Sequence, residues 1–199
     1  MGELASRPVE RHIARRLKEL RSQSGLTLEE LARQSGVSRS MISLIERGMS
    51  SPTAAVLDKL AASLGVTLPA LFAQEKQADA SPVSRRSDQQ TWRDPATGYV
   101  RRNLSPSAFD SPIDLVEVTM PPLARVAYDT VARHSELHQQ IWVLEGAIEV
   151  TVGHAAHRLS QGDCLAMVLD GPIVFRNSGK KESRHLVALM RPTRNSGYR

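Results

Sequence analysis

Two kinds of hydrophobic spacing divide this chain. Up to about residue 73, apolar positions recur at helical intervals. Ile13, Leu17 and Leu20 form the first such run, and Gly25 ends it. Thr27 can cap a second helix, with Glu30 three residues later to complete a capping box, and Leu28, Leu31 and Ala32 on one face. Gly36 can take the left-handed conformation that closes such a helix. Ser38 can cap a third helix, in which Met41, Ile42 and Ile45 are apolar while Arg39, Ser40 and Ser43 are left for another face. Gly48 stops it. Thr53 can cap a fourth helix carrying Val56, Leu57, Leu60 and Leu64, with Gly65 as its stop, and a short fifth helix at Leu68 to Phe72 closes the unit. Helices this short cannot bury their apolar faces alone, so the spacing predicts five helices around one small core at residues 9–73.

The helical period then lapses. Residues 74–96 are poor in apolar side chains and rich in Gln, Ser, Asp and Arg, which reads as a linker. Beyond Thr97 the period changes to short runs rich in Val, Ile and Leu: Ile113 to Thr119, Gln140 to Leu144, Ala147 to Val152 and Cys164 to Leu169. Pro121-Pro122, Gly146, Gly153, Gly162-Asp163 and Gly171-Pro172 separate them. Regular short strands between turn residues predict an all-β sandwich or barrel over residues 97–193.

Charge and cysteine content add direction. The formal net charge is +5, and it is unevenly placed. Residues 81–103 carry five arginines against two aspartates, whereas residues 104–199 are balanced. A positive first half and a neutral second half fit nucleic acid at one end and a different task at the other. A single cysteine, Cys164, excludes an internal disulfide and suits a reducing compartment. No apolar run approaches membrane-spanning length, and the first residues lack the apolar core of a signal peptide, so a cytoplasmic protein without a membrane partner is expected.

The residues Leu26-Thr27, Glu30-Leu31-Ala32, Gly36-Val37-Ser38, Ile42-Ser43, Ile45-Glu46-Arg47-Gly48 and Ser51-Pro52-Thr53 resemble the phage-repressor-like (lambda-repressor-like, Xre-type) helix-turn-helix domain. The resemblance covers about Arg11 to Phe72. It implies that the third helix reads base edges in the major groove of double-stranded DNA. Carried over, Arg39, Ser40 and Ser43 are the base readers, Ser38 and Thr27 lie near phosphates, and Arg47 and Lys59 are further phosphate candidates. Arg can be bidentate to guanine, and Ser can pair with several bases. Arg21 and Glu46 match positions that form a structural ion pair. Leu28 departs from the pattern, which often has Gln there, and removes one usual polar contact. The Arg85-Arg86 pair in the linker is a further cationic candidate, although a solvated segment is the simpler reading.

In the second half, Trp142-Val143-Leu144-Glu145-Gly146, then Leu159 to Asp163, then Phe175-Arg176-Asn177 resemble the cupin fold, a double-stranded β-helix or jelly-roll barrel. Many cupins hold a divalent metal through three His and one Glu. Aligned on Gly146, those positions fall on Ala132, His134, Gln139 and Ile173. One strong ligand of four cannot hold a first-row metal, so no metal, no cofactor and no enzymatic chemistry are expected. A cupin of this kind can still enclose a small effector. Arg125, Tyr128, His134, Gln139 and Ile173 are the candidate contacts, with Ile141, Val143, Met167 and Phe175 facing the same cavity. Arg125 is assigned to an effector carboxylate. The whole reading is a transcription regulator that binds its operator as a homodimer, with the cupin-like domain sensing a small molecule and supplying dimer contacts; the alternatives are a metal-dependent cupin enzyme joined to a DNA-binding domain and a regulator whose cupin only dimerises.

Overall fold

The computed structural model describes residues 7–74, 79–128 and 137–190. Its first half contains α1 (Arg7–Gln23), α2 (Leu28–Ser35), α3 (Arg39–Glu46) and α4 (Ala54–Ser63). Each boundary has a local chemical cause. The Thr27 hydroxyl accepts from the Glu30 N–H while the Glu30 carboxylate accepts from the Thr27 N–H, so the capping box is closed at the start of α2. Those bonds hold the Glu30 carboxyl below the usual carboxylate range. Gly36 ends α2 at φ 68°, a conformation that a Cβ would strain. The Ser38 and Thr53 hydroxyls cap α3 and α4 by accepting from the Met41 and Val56 N–H groups.

Ile13, Leu17, Leu31, Ile42, Ile45, Leu57 and Leu60 are buried together and form the helical core. Arg21 ties its periphery. Its Nε and Nη2 donate to the two Glu46 oxygens at 2.7 and 3.0 Å, and its Nη1 donates to the Leu26 carbonyl at 2.7 Å. This bidentate pair joins the end of α1 to α3 and to the turn before α2.

The expected fifth helix is corrected to a 3-10 turn, Leu68–Leu71, leaving four α-helices among the described residues. Four residues are too few for a stable α-helix, and Pro69 removes an N–H from the turn.

Ten strands follow among the described residues: β1 Thr91–Arg93, β2 Val100–Asn103, β3 Ile113–Met120, β4 Arg125–Tyr128, β5 His138–Glu145, β6 Ala147–Val152, β7 Ala155–Ser160, β8 Cys164–Val168, β9 Ile173–Arg176 and β10 Ser183–Met190. They form two antiparallel sheets, β1-β2-β3-β10-β5-β8 and β4-β9-β6-β7. Alternation orients each strand. In β5, Gln139, Ile141 and Val143 point inward while His138, Gln140 and Trp142 face out. Val116, Val118, Ile141 and Val143 of the larger sheet share one core with Val126, Ile148, Val150 and Phe175 of the smaller. Gly146, at φ 76°, stands where a Cβ would lie 3.1 Å from the Glu182 carbonyl oxygen. Asn177 donates to the Met120, Pro121 and Lys181 carbonyls and knits the loops at that end.

The segment expected as a linker departs from that reading. β1 lies inside it, and Trp92 is 1 % exposed. Trp92 packs edge-on against Phe72 at 6.0 Å and Tyr99 at 5.9 Å. Asp94, also buried, accepts from the Ala54 N–H at the start of α4 and from Thr97. A helix terminus with an unmet N–H and an aromatic that needs burial draw this polar stretch into the junction between the two halves.

Candidate nucleic-acid interface and effector cavity

The exposed face of α3 carries the predicted readers. Ser38, Arg39, Ser40 and Arg47 are exposed and Ser43 is half-buried. Positions 39, 40, 43 and 47 fall along one side of the helix, opposite the buried Ile42 and Ile45. The structure also shows how each group is held. The Arg39 guanidinium pairs with Glu29 of α2, and both side chains are more than 60 % exposed. The Ser38 and Ser40 hydroxyls lie 3.2 Å apart. Arg47 folds back, its Nε donating to the Ser43 carbonyl at 3.1 Å. Thr27 is committed to its capping box and also donates from its hydroxyl to Glu30. Of the further cationic candidates, Lys59 is half-buried on α4, while Arg85 and Arg86 are exposed at a 3-10 turn.

Behind the helices lies a cavity of about 80 Å³. Tyr128, Gln139, Ile173 and Phe175, four of the residues expected around a cavity, line it. Ile141 and Val143 are fully buried in the core, and Met167 packs against that core. His134 and Ala132 lie outside the described residues. Arg125 is corrected: it is exposed, because its strand neighbours Ala124 and Val126 take the inward positions.

The cation on the cavity wall is instead Arg101, 6 % exposed on β2. Its guanidinium stands 5.4 Å above the Phe72 ring. His185 of β10 lines the same cavity at 1 % exposure, stacked on Phe175 with ring planes 2° apart. Burial lowers its pKa to about 4, so the imidazole is neutral at pH 7. Tyr99 and Tyr128 share a hydroxyl contact of 3.0 Å, and burial pushes both phenols up. The helical half also reaches the cavity, through Asp58 of α4 and Leu68-Pro69 of the 3-10 turn. Sequence reasoning missed Asp58, Tyr99, Arg101 and His185. The available signal was His185 in phase with Val187 and Leu189 along an alternating strand.

Among the described residues, no group of three or more His, Cys, Asp or Glu side chains is placed to hold a metal. Gln139 and Ile173, at two of the cupin ligand positions, give the cavity neither an anionic nor an imidazole donor there. Cys164 is exposed on β8 opposite the exposed Trp142 of β5, rather than buried as an inert thiol usually is. No helix among the described residues is long and apolar enough to cross a membrane.

Comparison with known proteins bears on both halves. Residues 17–71 match the helix-turn-helix family HTH_3. The HTH-type transcriptional regulator SutR of Escherichia coli K12 is 26 % identical over 171 residues, covering 86 % of this chain and 90 % of that protein. The HTH-type transcriptional regulator SinR of Bacillus subtilis is 34 % identical over 68 residues, 34 % of this chain and 61 % of that one. A crystal structure of an HTH_3 family transcriptional regulator from Vibrio cholerae superposes with a TM-score of 0.73 at 28 % identity, covering 93 % of this chain and 98 % of that chain.

Proposed function

We propose that the chain, whose helical half matches the HTH_3 family and which is similar to HTH-type transcriptional regulators along most of its length, is a transcription regulator that binds a two-fold operator as a homodimer under control of a small effector. The observation that carries this reading is the polar face of α3, with Arg39, Ser40 and Ser43 presented opposite a buried apolar seam. In our reading these three contact base edges, while Ser38, Thr27 and Arg47 lie along the phosphates. Thr27 and Arg47 would serve through backbone position or after releasing their present partners.

A dimer would place two copies of α3 about one helical turn apart, roughly 34 Å. The outward face of β5 and β10 suits the contact between copies. It carries Trp142, which is 49 % exposed, together with Leu186 and Ala188. The effector would occupy the cavity among Tyr128, Gln139 and Ile173, with no metal and no catalysis, in a protein acting in the cytoplasm. Its binding would change operator affinity only through a difference in affinity for two arrangements of the protein.

Two experiments test this reading. Selection from random duplexes by the full-length protein should enrich a two-fold symmetric sequence with half-sites about 10 base pairs apart. Recovery of no preferred sequence would refute the regulator reading. Metal analysis of the purified protein should find none at stoichiometric level; one iron, manganese, nickel or zinc per chain would refute the metal-independent part.

A further inference from the structure

One feature of the cavity is unusual for a buried site. Arg101 is 6 % exposed, yet its Nε and Nη2 have no hydrogen-bond partner among the described residues. These two N–H groups form the side-on fork of the guanidinium, whose spacing matches the two oxygens of a carboxylate. The same chain shows that fork closed: Arg21 uses Nε and Nη2 to hold both oxygens of Glu46. Buried donors left unmet are destabilising, and buried ones are nearly always partnered.

Strand register brings a second unmet group to the same place. Arg101 of β2 stands opposite Val118 of β3, and Val118 stands opposite His185 of β10. All three occupy one row on the inward face. Two strand spacings separate the Cα atoms of Arg101 and His185 by about 10 Å, so both side chains can converge on one small molecule above Val118. His185 Nδ1 likewise has no hydrogen-bond partner among the described residues. The rest of the wall joins the polar Asp58, Tyr99, Tyr128 and Gln139 to a larger apolar surface that includes Val187 and Leu189. A cavity of about 80 Å³ suits a small occupant, of about three to six carbons.

We propose that this cavity binds a short aliphatic carboxylate, its oxygens held by Nε and Nη2 of Arg101, a polar atom beside the carboxylate meeting His185, and its hydrocarbon against the valine and leucine wall. An inorganic anion would satisfy the fork but leave the apolar wall unmatched. The wall also includes Asp58 and Leu68-Pro69 of the DNA-binding half, and Arg101 itself lies over Phe72 from that half. A bound acid would therefore touch both halves at once, which gives the effector a direct route to the position of α4. This inference rests on the sensor reading above and narrows it to one ligand class.

The test is a thermal-shift titration of the full-length protein with butyrate, α-ketobutyrate, α-hydroxybutyrate and α-aminobutyrate. Butyramide, inorganic sulfate and a neutral and cationic metabolite set run beside them. At saturation at least one acid should raise Tm by about 3 °C or more, while the amide and sulfate do not. Arg101→Gln should abolish the shift, and His185→Phe should weaken binding about tenfold. The comparison of acid with amide uses the unaltered protein, so it stands even if Arg101→Gln fails to fold. Equal shifts from butyrate and butyramide, or from sulfate and the acids, would overturn the proposal. So would no shift from any acid. If a neutral or cationic metabolite then shifts Tm, the carboxylate assignment falls while the sensor reading stands; if nothing shifts it, both fall.

Discussion

In the proposed complex Arg39 is the side chain on which DNA recognition turns, and its partner Glu29 sets a condition on it. To reach a base edge the guanidinium must leave that carboxylate. The pair is highly exposed, so opening it is inexpensive. Arg39→Ala should weaken binding to the selected operator by about 1–3 kcal/mol if it is bidentate to a guanine, with relaxed preference at that position. Glu29→Gln should strengthen operator binding by a few fold in an anisotropy titration, since it removes both a competitor for Arg39 and a negative charge near phosphates. A weaker complex would show instead that Glu29 positions Arg39 for readout. At this scale Leu28, where the helix-turn-helix pattern often has Gln, is half-buried and packs against the core.

At the scale of elements, the junction depends on one buried carboxylate. Asp94, 2 % exposed, accepts from the Ala54 N–H at the head of α4 and from the N–H and hydroxyl of Thr97. Asp94→Ala leaves these donors unmet and should lower stability by about 1–3 kcal/mol in urea unfolding. Asp88→Ala, on the exposed 3-10 turn, should change it by less than about 0.5 kcal/mol. Equal losses would show that Asp94 is not a structural tie. The helices were legible in the sequence because their signals are local: a hydroxyl cap, a glycine stop and an apolar seam lie within one turn of each other. The strand at Thr91–Arg93 was not, because it is three residues long, pairs with β2, and is anchored by Trp92 and the following Asp94, whose partners Phe72, Tyr99 and Ala54 are set by tertiary packing. The same reason hid half the cavity. Gln139 and Ile173 followed from the resemblance to cupins, whereas Arg101 sits beside Arg102 in an arginine-rich segment with no local signal of burial. Asp58 reads as an ordinary polar position on α4 until the β domain is placed against it.

For the molecule as a whole, His185 links the cavity to acid stability. Its pKa is lowered from 6.5 to about 4 by burial, so the unfolded chain binds a proton in this window that the folded chain does not. Stability should therefore fall as pH drops from 6.5 towards 4, by roughly 3 kcal/mol from this group. His12 and Glu30, whose pKa values are also lowered, contribute to the pH profile in both wild type and variant. His185→Phe should thus flatten the profile between pH 6.5 and 4 without removing it; an unchanged slope in urea midpoints would contradict the buried neutral imidazole. The broader picture is of two halves packed as one body, with Trp92 and Asp94 at the seam and a cavity that both halves line. Any occupant of that cavity touches α4, and α4 packs against α2 beside α3.

The most direct test of the account is the affinity of the full-length protein for its selected operator and for a scrambled duplex of the same length, with wild type and Arg39→Ala measured at one salt concentration. Wild type should prefer the operator by at least a thousandfold, and Arg39→Ala should lose about ten- to hundredfold on the operator while its affinity for the scrambled duplex barely changes. Equal losses on both duplexes would show that Arg39 contacts phosphate only. The absence of any preference in the wild-type protein would contradict the claim that α3 reads sequence.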